Sequence, residues 1–176
     1  MSPSVPSVPE EHKAKAPKSV SFSLYIVSTS RSSGKGKEDL TGELAEGLIR
    51  EAGHRLVRRE IIPDRPSAIR DALLKATHDS DVIIFSGGTG LHPTDVTPDT
   101  VEPLLERKIP GFGELFRWLS YEQVGSAAMA SRASAGVFNG SLVFLLPGSP
   151  DGVELALTKL ILPEAAHLVY LVRGGH

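Results

Sequence analysis

The chain has 176 residues, and its 19 lysines and arginines against 21 aspartates and glutamates give a net charge of −2. This length predicts one compact domain, and hydrophobic and charged fractions of 40% and 23% are typical of globular proteins. The near-neutral charge argues against electrostatic nucleic-acid binding by the whole chain. Because there is no cysteine, disulfides, thiolate metal sites and thiol nucleophiles are excluded.

The N-terminal segment does not have the pattern of a secretory signal. Pro3, Pro6 and Pro9 interrupt its few valines, so it has no continuous apolar core. Elsewhere we expect no run of the ~20 apolar residues that a membrane-spanning helix needs. We therefore expect a cytoplasmic protein with no membrane partner.

A change in composition divides the chain near residue 20. Residues 1–19 hold four prolines, four serines and three lysines but no leucine or aromatic residue. Such a segment buries too little apolar surface to offset the entropy lost on ordering. We predict a disordered tail over residues 1–19 and a single α/β domain over residues 20–176.

Short apolar runs rich in β-branched and aromatic residues predict buried strands. They are residues 22–27, 81–85, 142–146 and 168–172, with a more polar strand over residues 55–62. Segments with helical periodicity lie between these strands. Leu40, Leu44 and Leu48 share one helix face, and Gly53 stands where a helix C-terminus favours glycine.

Further helices are predicted along the rest of the chain. Ile69, Leu73 and Ala76 mark the second, and Thr97-Pro98-Asp99 has the residue types of a third helix start, with Thr97 as its N-cap. Weaker helical patterns cover residues 113–120, 123–131 and 150–161. Strands alternating with helices predict a mainly parallel sheet covered on both faces. Ligands of such sheets bind beyond the carboxyl ends of the strands.

Two loops after predicted strands have the composition of phosphate-binding loops. Residues 28–37 are rich in hydroxyls and basic groups, a composition equally typical of a solvated turn. Ser86-Gly-Gly-Thr-Gly90 would let backbone N–H groups approach an anion. It fits neither the Walker pattern nor G-x-G-x-x-G, because Pro93 occupies the third glycine position.

Two aspartates follow predicted strands at the same edge of the sheet. Asp64 comes after Ile61-Ile-Pro63, and Asp95 lies in the next such loop. A carboxylate pair there could hold Mg²⁺, which takes one or two protein carboxylates together with substrate phosphates. Alternatively, Asp64 caps the second helix and Asp95 stabilises a turn.

Other residue types give weaker indications. Ser149, between Pro147 and Asp151, does not fit the G-x-S-x-G pattern of a hydrolase nucleophile and is predicted as a helix N-cap. The six histidines show no zinc spacing, and we expect His54 and His167 to be structural. The aromatic cluster of residues 112–121 is predicted as core or subunit interface rather than a base-stacking surface.

The order of these segments is more specific than any one of them. They are Ser86-Gly-Gly-Thr-Gly-Leu-His-Pro-Thr-Asp-Val-Thr-Pro-Asp-Thr100, Ile109-Pro-Gly-Phe-Gly113, Ser131-Arg-Ala-Ser-Ala-Gly136 and Leu145-Leu-Pro-Gly-Ser-Pro-Asp151. This series closely resembles the MoaB/MogA family of molybdenum-cofactor biosynthesis. The resemblance extends over residues 21–173 and includes Asp39-Leu-Thr-Gly42, Gly53-His54 and Ile62-Pro-Asp64.

The resemblance implies a fold and an activity. The fold is a three-layer α/β/α sandwich with a mostly parallel central sheet, the molybdopterin-binding fold, assembled as a homotrimer or hexamer. The activity is molybdopterin adenylylation: the adenylyltransferase members join molybdopterin to AMP from Mg-ATP and release pyrophosphate. Molybdopterin and ATP are then the substrates and Mg²⁺ is the cofactor.

The resemblance also implies roles for individual residues. Asp64 and Asp95 match the family's two functional aspartates, and we expect both to be catalytic and to bind Mg²⁺. The segments that match its substrate pocket are expected to contact the substrates through Ser28, Ser30, Arg31, Ser86, Gly87, Gly88, Thr89, Gly90, Thr94, Arg132, Ser134, Pro147, Gly148 and Ser149.

One position departs from the family pattern. Many members have an aspartate where this chain has Ser30, and the chain looks like the shorter MoaB branch. A non-catalytic carrier that binds molybdopterin and passes it on is therefore the alternative function. A scaffold built on the same fold is a third hypothesis.

Overall fold

The structure is a computed structural model that describes residues 13–34 and 38–175. Its strands are β1 (Ser21–Val27), β2 (Arg55–Ile62), β3 (Val82–Ser86), β4 (Arg107–Lys108), β5 (Ser134–Phe138) and β6 (Ser141–Leu146). Its α-helices are α1 (Thr29–Ser32), α2 (Leu40–Glu51), α3 (Pro66–Ala76), α4 (Thr97–Val101), α5 (Pro110–Val124), α6 (Pro150–Ala156) and α7 (Leu162–Val172). Short 3₁₀ helices cover Glu102–Leu104 and Gly125–Ala130, and a π-helical turn, Leu157–Ile161, joins α6 to α7.

The strands form one sheet in the order β2-β1-β3-β6-β5-β4. β2, β1, β3 and β6 run parallel to one another, whereas β5 is antiparallel to both β6 and β4. The predicted parallel sheet is therefore confirmed for its four-stranded centre, with a short antiparallel edge added to it.

Helices cover both faces of the sheet. Along β1, Phe22, Leu24 and Ile26 enter one apolar cluster and Tyr25 and Val27 enter the other, because successive side chains of a strand point to opposite faces. The first cluster is completed by α2, α5, α6 and α7, and the second by α3 and α4. This arrangement confirms the predicted three-layer sandwich.

The most regular predicted helix, α2, has a defined start and end. The Asp39 side chain caps its N-terminus by accepting from the Gly42 amide at 2.9 Å. Arg59 of β2 pairs with that carboxylate and also donates to Glu46, about two turns further along the helix. At the other end Gly53 has φ +82°, a conformation that favours glycine.

The predicted strand over residues 168–172 is wrong, because those residues lie in α7. Pro163 stands in the first turn of the helix, and Ala165 and Val169, four residues apart, are buried in the core. The continuous helical stretch Pro150–Val172 has 23 residues, and an 18-residue window within it has a mean hydropathy of 1.5, so it meets the length and composition of a spanning helix, against our expectation. It supplies seven residues of the first core cluster, and 33% of that window is buried within the protein.

Smaller differences from the predicted elements concern short segments. β5 was missed because Ser134-Ala-Gly-Val-Phe138 holds only one large β-branched residue, and β4 has only two residues. Residues 125–130, within the predicted helix over 123–131, are 3₁₀ rather than α. Thr97 is not an N-cap: Val96 precedes α4 without a side-chain cap, and Thr97 is the first helical residue.

Part of the predicted tail is described. Residues 1–12 lie outside the described residues, as do residues 35–37 of the basic loop. Residues 13–15 form a helical turn, and the Lys13 ammonium is ion-paired with Glu164 of α7. Val20, directly before β1, is already buried in the core.

Candidate functional site

The strand order determines where the loops meet. β1 has β2 on one side and β3 on the other. The connection through α2 crosses one face of the sheet and the connection through α3 crosses the opposite face. A crevice forms where crossovers diverge in this way, outside the carboxyl ends of the strands. The loops after β1, β2, β3 and β6 therefore surround one place.

The loop after β3, residues 86–90, is fixed by close backbone contacts. Gly87 has φ +114°, and a Cβ there would stand 2.3 Å from the Val27 carbonyl oxygen at the end of β1. Gly88 has φ +64°, and a Cβ there would stand 2.6 Å from Asp64 Oδ2. Only glycine allows these approaches without strain or displacement.

This loop presents free backbone donors. Within residues 13–34 and 38–175, the structure gives no hydrogen-bond acceptor to the N–H groups of Gly88, Thr89 and Gly90. Consecutive unpaired amides in a left-handed turn form a concave site for an anion. The predicted phosphate cradle therefore has the donors that such a site requires.

Hydrogen bonds join the glycine loop to the loop after β6. Ser86 is fully buried, and its hydroxyl donates to the Pro147 carbonyl at 2.9 Å. The Gly87 amide donates to the Leu146 carbonyl at 2.9 Å. On the far side, Thr41 of α2 donates through its hydroxyl to the Gly148 carbonyl at 3.1 Å. The Ser149 side chain accepts from the Gly152 amide at 3.3 Å, which confirms it as the N-cap of α6.

Both aspartates lie beside the glycine loop. Asp64 Oδ1 accepts from the Val96 amide, the residue after Asp95, at 3.3 Å. Gly90 is equally close to the second acid, since a Cβ there would stand 2.6 Å from Asp95 Oδ2. Partial burial raises the pKa of the Asp64 carboxyl above its ordinary value, the Val96 amide lowers it, and the Asp95 charge raises it again. The side chain of Arg65, not that of Asp64, lies at the N-cap position of α3, and it makes no capping bond.

The loop after β1 contains a helical turn that faces the acids. Ser28 is the N-cap of α1, and its hydroxyl contacts that of Ser30 at 3.3 Å. The Thr29 hydroxyl accepts from the Asp64 amide at 3.1 Å, so this turn is fastened to the acid's own backbone. Arg31 is partly buried in the same turn and Ser30 is exposed.

The residues present fit a magnesium ion shared with a ligand. Carboxylate oxygens are the ligands that Mg²⁺ prefers, and one or two of them suffice when substrate phosphates and water complete the octahedron. In the described part of the chain no group of three or more acidic or histidine side chains could hold a metal alone. Asp64 and Asp95 are therefore suited to a metal that arrives with a phosphate-bearing substrate.

Arg132 and Ser134, on the segment before β5, occupy different surroundings. The Arg132 guanidinium donates to the Gly90 and Asp95 carbonyls and pairs with Asp99. The Ser134 hydroxyl is buried and makes no hydrogen bond within the described residues. Thr94 is exposed in the loop before Asp95, and its hydroxyl contacts His92 Nδ1 at 2.8 Å.

Two open clefts flank the acids. One, of about 750 Å³, runs from Pro147 and Ser149 along α6 to the end of α5. The other, of about 670 Å³, is lined by Arg132, Ser134 and neighbouring residues of α4 and α5. Ser131 borders both. Asp64 and Asp95 line neither cleft, and we place the candidate site at their loops because of their contacts with residues 86–90.

Several residues that shape this site were not among the predicted site residues. The Thr97 hydroxyl donates to the Gly87 carbonyl at 2.9 Å, and the Thr97 amide donates to the Gly88 carbonyl at 3.1 Å. Thr29 and Thr41 have comparable roles in the loops after β1 and β6. The position of Thr97, two residues after Asp95 in a strand-to-helix connection, is the only sequence signal that could have indicated such a role.

Comparison with known proteins identifies the family to which this fold and these loops belong. The family model described as "Probable molybdopterin binding domain" matches residues 24–167 of this chain. The chain belongs to this molybdopterin-binding domain family. The resemblance inferred from the loop motifs is thereby confirmed.

Named relatives of this family cover nearly the whole chain. Molybdenum cofactor biosynthesis protein B of Bacillus cereus is 44% identical over 163 residues, which is 91% of this chain and 95% of that protein. The Bacillus subtilis protein of the same name is 42% identical over 167 residues, or 93% and 96%.

Solved structures of the family have the same fold. A crystal structure of molybdenum cofactor biosynthesis protein B superposes with a TM-score of 0.84 at 42% identity, over 90% of this chain and 99% of that one. The tungsten cofactor synthesizing protein MoaB from Pyrococcus furiosus gives 0.84 at 34% identity with the same coverage. The molybdopterin-binding domain family therefore includes this chain by sequence and by fold, and its relatives act in molybdenum cofactor biosynthesis.

Proposed function

We propose that this protein adenylylates molybdopterin, using Mg-ATP and releasing pyrophosphate, as a step of molybdenum cofactor biosynthesis in the cytoplasm. The terminal phosphate oxygen of molybdopterin forms a bond to the α-phosphorus of ATP. The bond from that phosphorus to the pyrophosphate oxygen breaks. The products are adenylyl-molybdopterin and pyrophosphate.

One observation carries the proposal: two carboxylates lie against a glycine loop in which three consecutive amides have no acceptor within the described residues. Asp64 and Asp95 touch the positions that Gly88 and Gly90 keep open. The N–H groups of Gly88, Thr89 and Gly90 have no acceptor within the described residues. Acids beside anion-binding donors support a site for phosphates that carry a cation.

This chemistry needs charge neutralisation and alignment more than proton transfer. A phosphate monoester has its second pKa near ~6, so the attacking oxygen is already mostly deprotonated at neutral pH. Asp64 and Asp95 would hold Mg²⁺, whose positive charge would reduce the repulsion between the two anionic substrates. The glycine-loop amides donate to phosphate oxygens and fix their orientation. Holding two reactants in line is itself a large part of catalysis.

The proposal is tested by pyrophosphate release from molybdopterin, ATP and Mg²⁺. Asp95→Asn keeps the shape of the side chain but removes its charge, and we expect it to lower turnover by roughly 10²- to 10³-fold. Asp71→Asn, on the exposed surface of α3, is the matched control and should keep wild-type turnover. Thermal unfolding of both variants shows whether the fold is retained. Near wild-type turnover of Asp95→Asn would contradict the assignment of Asp95.

The alternative function is a molybdopterin carrier without catalysis, and Ser30 is the observation that favours it. The α1 turn that holds Ser30 is bonded to the Asp64 backbone, so an acid at position 30 would belong to the acid pair. Because position 30 is a serine, the site has two carboxylates rather than three. Binding of molybdopterin measured by calorimetry, without pyrophosphate release at any Mg²⁺ concentration, would establish the carrier and exclude the transferase.

We also propose that the protein forms a homo-oligomer. Leu115, Trp118, Tyr121 and Val124 of α5 are exposed by 49–61%. They lie three residues apart, so each is adjacent to the next on the helix surface. Phe112 and Phe116 of the same predicted cluster are buried in the core instead. A series of exposed large apolar groups is typical of an association surface, and a trimer or hexamer of identical chains would cover it.

A further inference from the structure

We propose that Arg132 is a positioning residue that fixes the loop carrying Asp95, and that it does not bind substrate through its charge. The inference deepens the proposed function and rests on it for the expected change in turnover. It concerns a loop that we call the acid loop, residues 90–95. Arg132 precedes β5 and approaches this loop from across the sheet edge.

The Arg132 side chain connects the two ends of the acid loop. Nε donates to the Gly90 carbonyl at 3.0 Å, and Nη2 donates to the Asp95 carbonyl at 2.6 Å. The backbone continues the same attachment, because the Arg132 amide donates to the Thr89 carbonyl at 3.1 Å. One residue thus satisfies carbonyls at both ends of a loop that otherwise has a single internal backbone bond, from the Asp95 amide to the His92 carbonyl.

The charge of Arg132 is also neutralised within the protein. Nη1 contacts both carboxylate oxygens of Asp99, at 3.0 and 2.8 Å. A guanidinium has five N–H groups; the two carbonyls and the Asp99 carboxylate take three or four of them and leave at most two for a ligand. Asp99 lies in the first turn of α4, the helix that begins directly after the acid loop. The pair therefore ties the loop to the helix that follows it.

A second arginine holds the segment that carries Arg132. Arg117 of α5 donates through Nη1 to the Ser131 carbonyl at 3.3 Å and to the Ala133 carbonyl at 3.0 Å. These are the residues on either side of Arg132. The two arginines therefore connect α5 to the acid loop through bonds to backbone carbonyls. The planar guanidinium of Arg132 fits the spacing of its two carbonyls, whereas a lysine ammonium does not.

The two possible roles of Arg132 predict opposite effects of removing Asp99. A substrate-binding arginine released from Asp99→Ala would have a free charge and would bind anionic substrates more tightly. A positioning arginine would lose its orientation, so the acid loop would loosen while substrate affinity would stay the same. Asp99 itself is exposed by 63% and contributes no side chain to the apolar core, so the fold should tolerate its replacement.

The first measurement is amide hydrogen exchange of the protein without substrates. In Asp99→Ala and in Arg132→Lys we expect the Asp95 and Thr97 amides to exchange several times faster than in the wild type. The hydrogen bonds of these two amides, to the His92 and Gly88 carbonyls, hold the acid loop, and they open more often when the loop loosens. Arg50→Ala is the control, because it removes an arginine bonded to Glu46 on the surface of α2. Unchanged exchange in both loop variants would overturn the proposal whether or not the protein is a transferase.

The second measurement separates turnover from binding in the pyrophosphate assay. We expect kcat of Asp99→Ala to fall by up to about 100-fold, the cost of a small misplacement of reacting groups, with KM for ATP unchanged. Arg132→Lys should not rescue turnover despite keeping its charge. A lower KM or tighter ATP binding in Asp99→Ala would show that Arg132 binds substrate. If the wild type has no turnover while exchange still accelerates in the variants, the proposed function fails and the positioning role is retained.

Discussion

Gly88 lies directly against the Asp64 carboxylate, because a Cβ at position 88 would stand 2.6 Å from Asp64 Oδ2 and 2.5 Å from Thr97 Oγ1. The same residue has φ +64°. The glycine thus keeps an acid, a hydroxyl and a free amide within one small volume. This contact explains why the loop after β3 must contain glycine on chemical as well as conformational grounds.

Gly88→Ala should therefore abolish activity at a moderate cost in stability. A left-handed conformation costs an alanine about 1–2 kcal/mol, and the new methyl group must also displace Asp64 or Thr97. Gly53→Ala is the matched control: its φ is +82°, but no atom lies within 4 Å of the added Cβ. Chemical unfolding should show the backbone strain in both variants and a further loss of stability in Gly88→Ala, and only Gly88→Ala should lose pyrophosphate release. Equal activity of the two would contradict the position assigned to the acids.

Thr97 should be required for its hydroxyl rather than its shape. Its Oγ1 donates to the Gly87 carbonyl at 2.9 Å from a fully buried position. Thr97→Val keeps the volume but leaves that carbonyl without a side-chain donor, which costs about 1–3 kcal/mol when the group is buried. Thr97→Ser keeps the donor and should restore most of the stability. The midpoints of urea unfolding compare the two, and equal midpoints would argue against this hydrogen bond.

The sequence predicted those parts of the site that depend on strand order. Asp64 and Asp95 follow β2 and β3, and the carboxyl ends of parallel strands meet at one edge, so their proximity could be expected. The predicted contact roles of the substrate-binding residues remain predictions. Ser86, for example, is a predicted substrate contact, and in the structure its hydroxyl is buried and donates to the Pro147 carbonyl. Which side chains bond to backbone carbonyls depends on tertiary distances that no spacing in the sequence encodes.

The predicted elements match the structure where the burial of a segment and the spacing of its apolar residues indicate the same type of element. The strands Ser21–Val27 and Ser141–Leu146 are buried on both faces and have the continuous apolar composition of such strands. Residues 168–172 have the same composition but lie in α7, because a short apolar run has no period that separates a buried strand from a buried helix. Here the helix that begins at Leu162 extends through them.

Ser30→Asp should lower the Mg²⁺ concentration needed for half-maximal turnover. Its turn is bonded to the Asp64 backbone through Thr29, so a third carboxylate would join the acid pair and strengthen cation binding. Ser33→Asp adds the same charge at the C-cap of the turn and serves as the control. The measurement is pyrophosphate release against Mg²⁺ concentration. If neither Ser30→Asp nor the wild type releases pyrophosphate while both bind molybdopterin, the carrier function is correct.

Trp118→Lys should reduce the assembled mass of the protein. Trp118 is exposed by 61% in the middle of the apolar series on α5, and a charge there would have to be buried in any interface that covers it. Light scattering of the wild type should give a trimer or hexamer, and the variant should give a smaller species. Arg70→Glu, at an exposed position of α3 on the opposite face of the sheet, changes charge away from this surface and should leave the mass unchanged. A monomeric wild type would contradict the proposed assembly.

Asp79→Asn should weaken the dependence of stability on acid pH. Arg58 donates to both carboxylate oxygens of Asp79, at 3.2 and 2.8 Å, and these bonds lower the pKa of Asp79. Because the folded-state pKa lies below the unfolded value, the carboxylate stabilises the fold above the unfolded pKa. That contribution is lost as the pH falls from about 5 through the ordinary carboxyl pKa of about 3.9 and down to the lowered folded value. The pair lies at the surface, so it contributes only about 0.2–1 kcal/mol.

Urea unfolding at neutral and acid pH measures this contribution. At neutral pH we expect Asp79→Asn to be less stable than the wild type by that amount, and the difference should shrink as acid protonates Asp79 in the wild type. For Asp71→Asn, at an exposed position on α3, the difference in stability from the wild type should not shrink in the same way. A constant difference between Asp79→Asn and the wild type at all pH values would mean that the ion pair with Arg58 does not set the acid response. The carboxylate would then act through hydrogen bonding to Ser80, its other partner at 3.0 Å, and not through its charge.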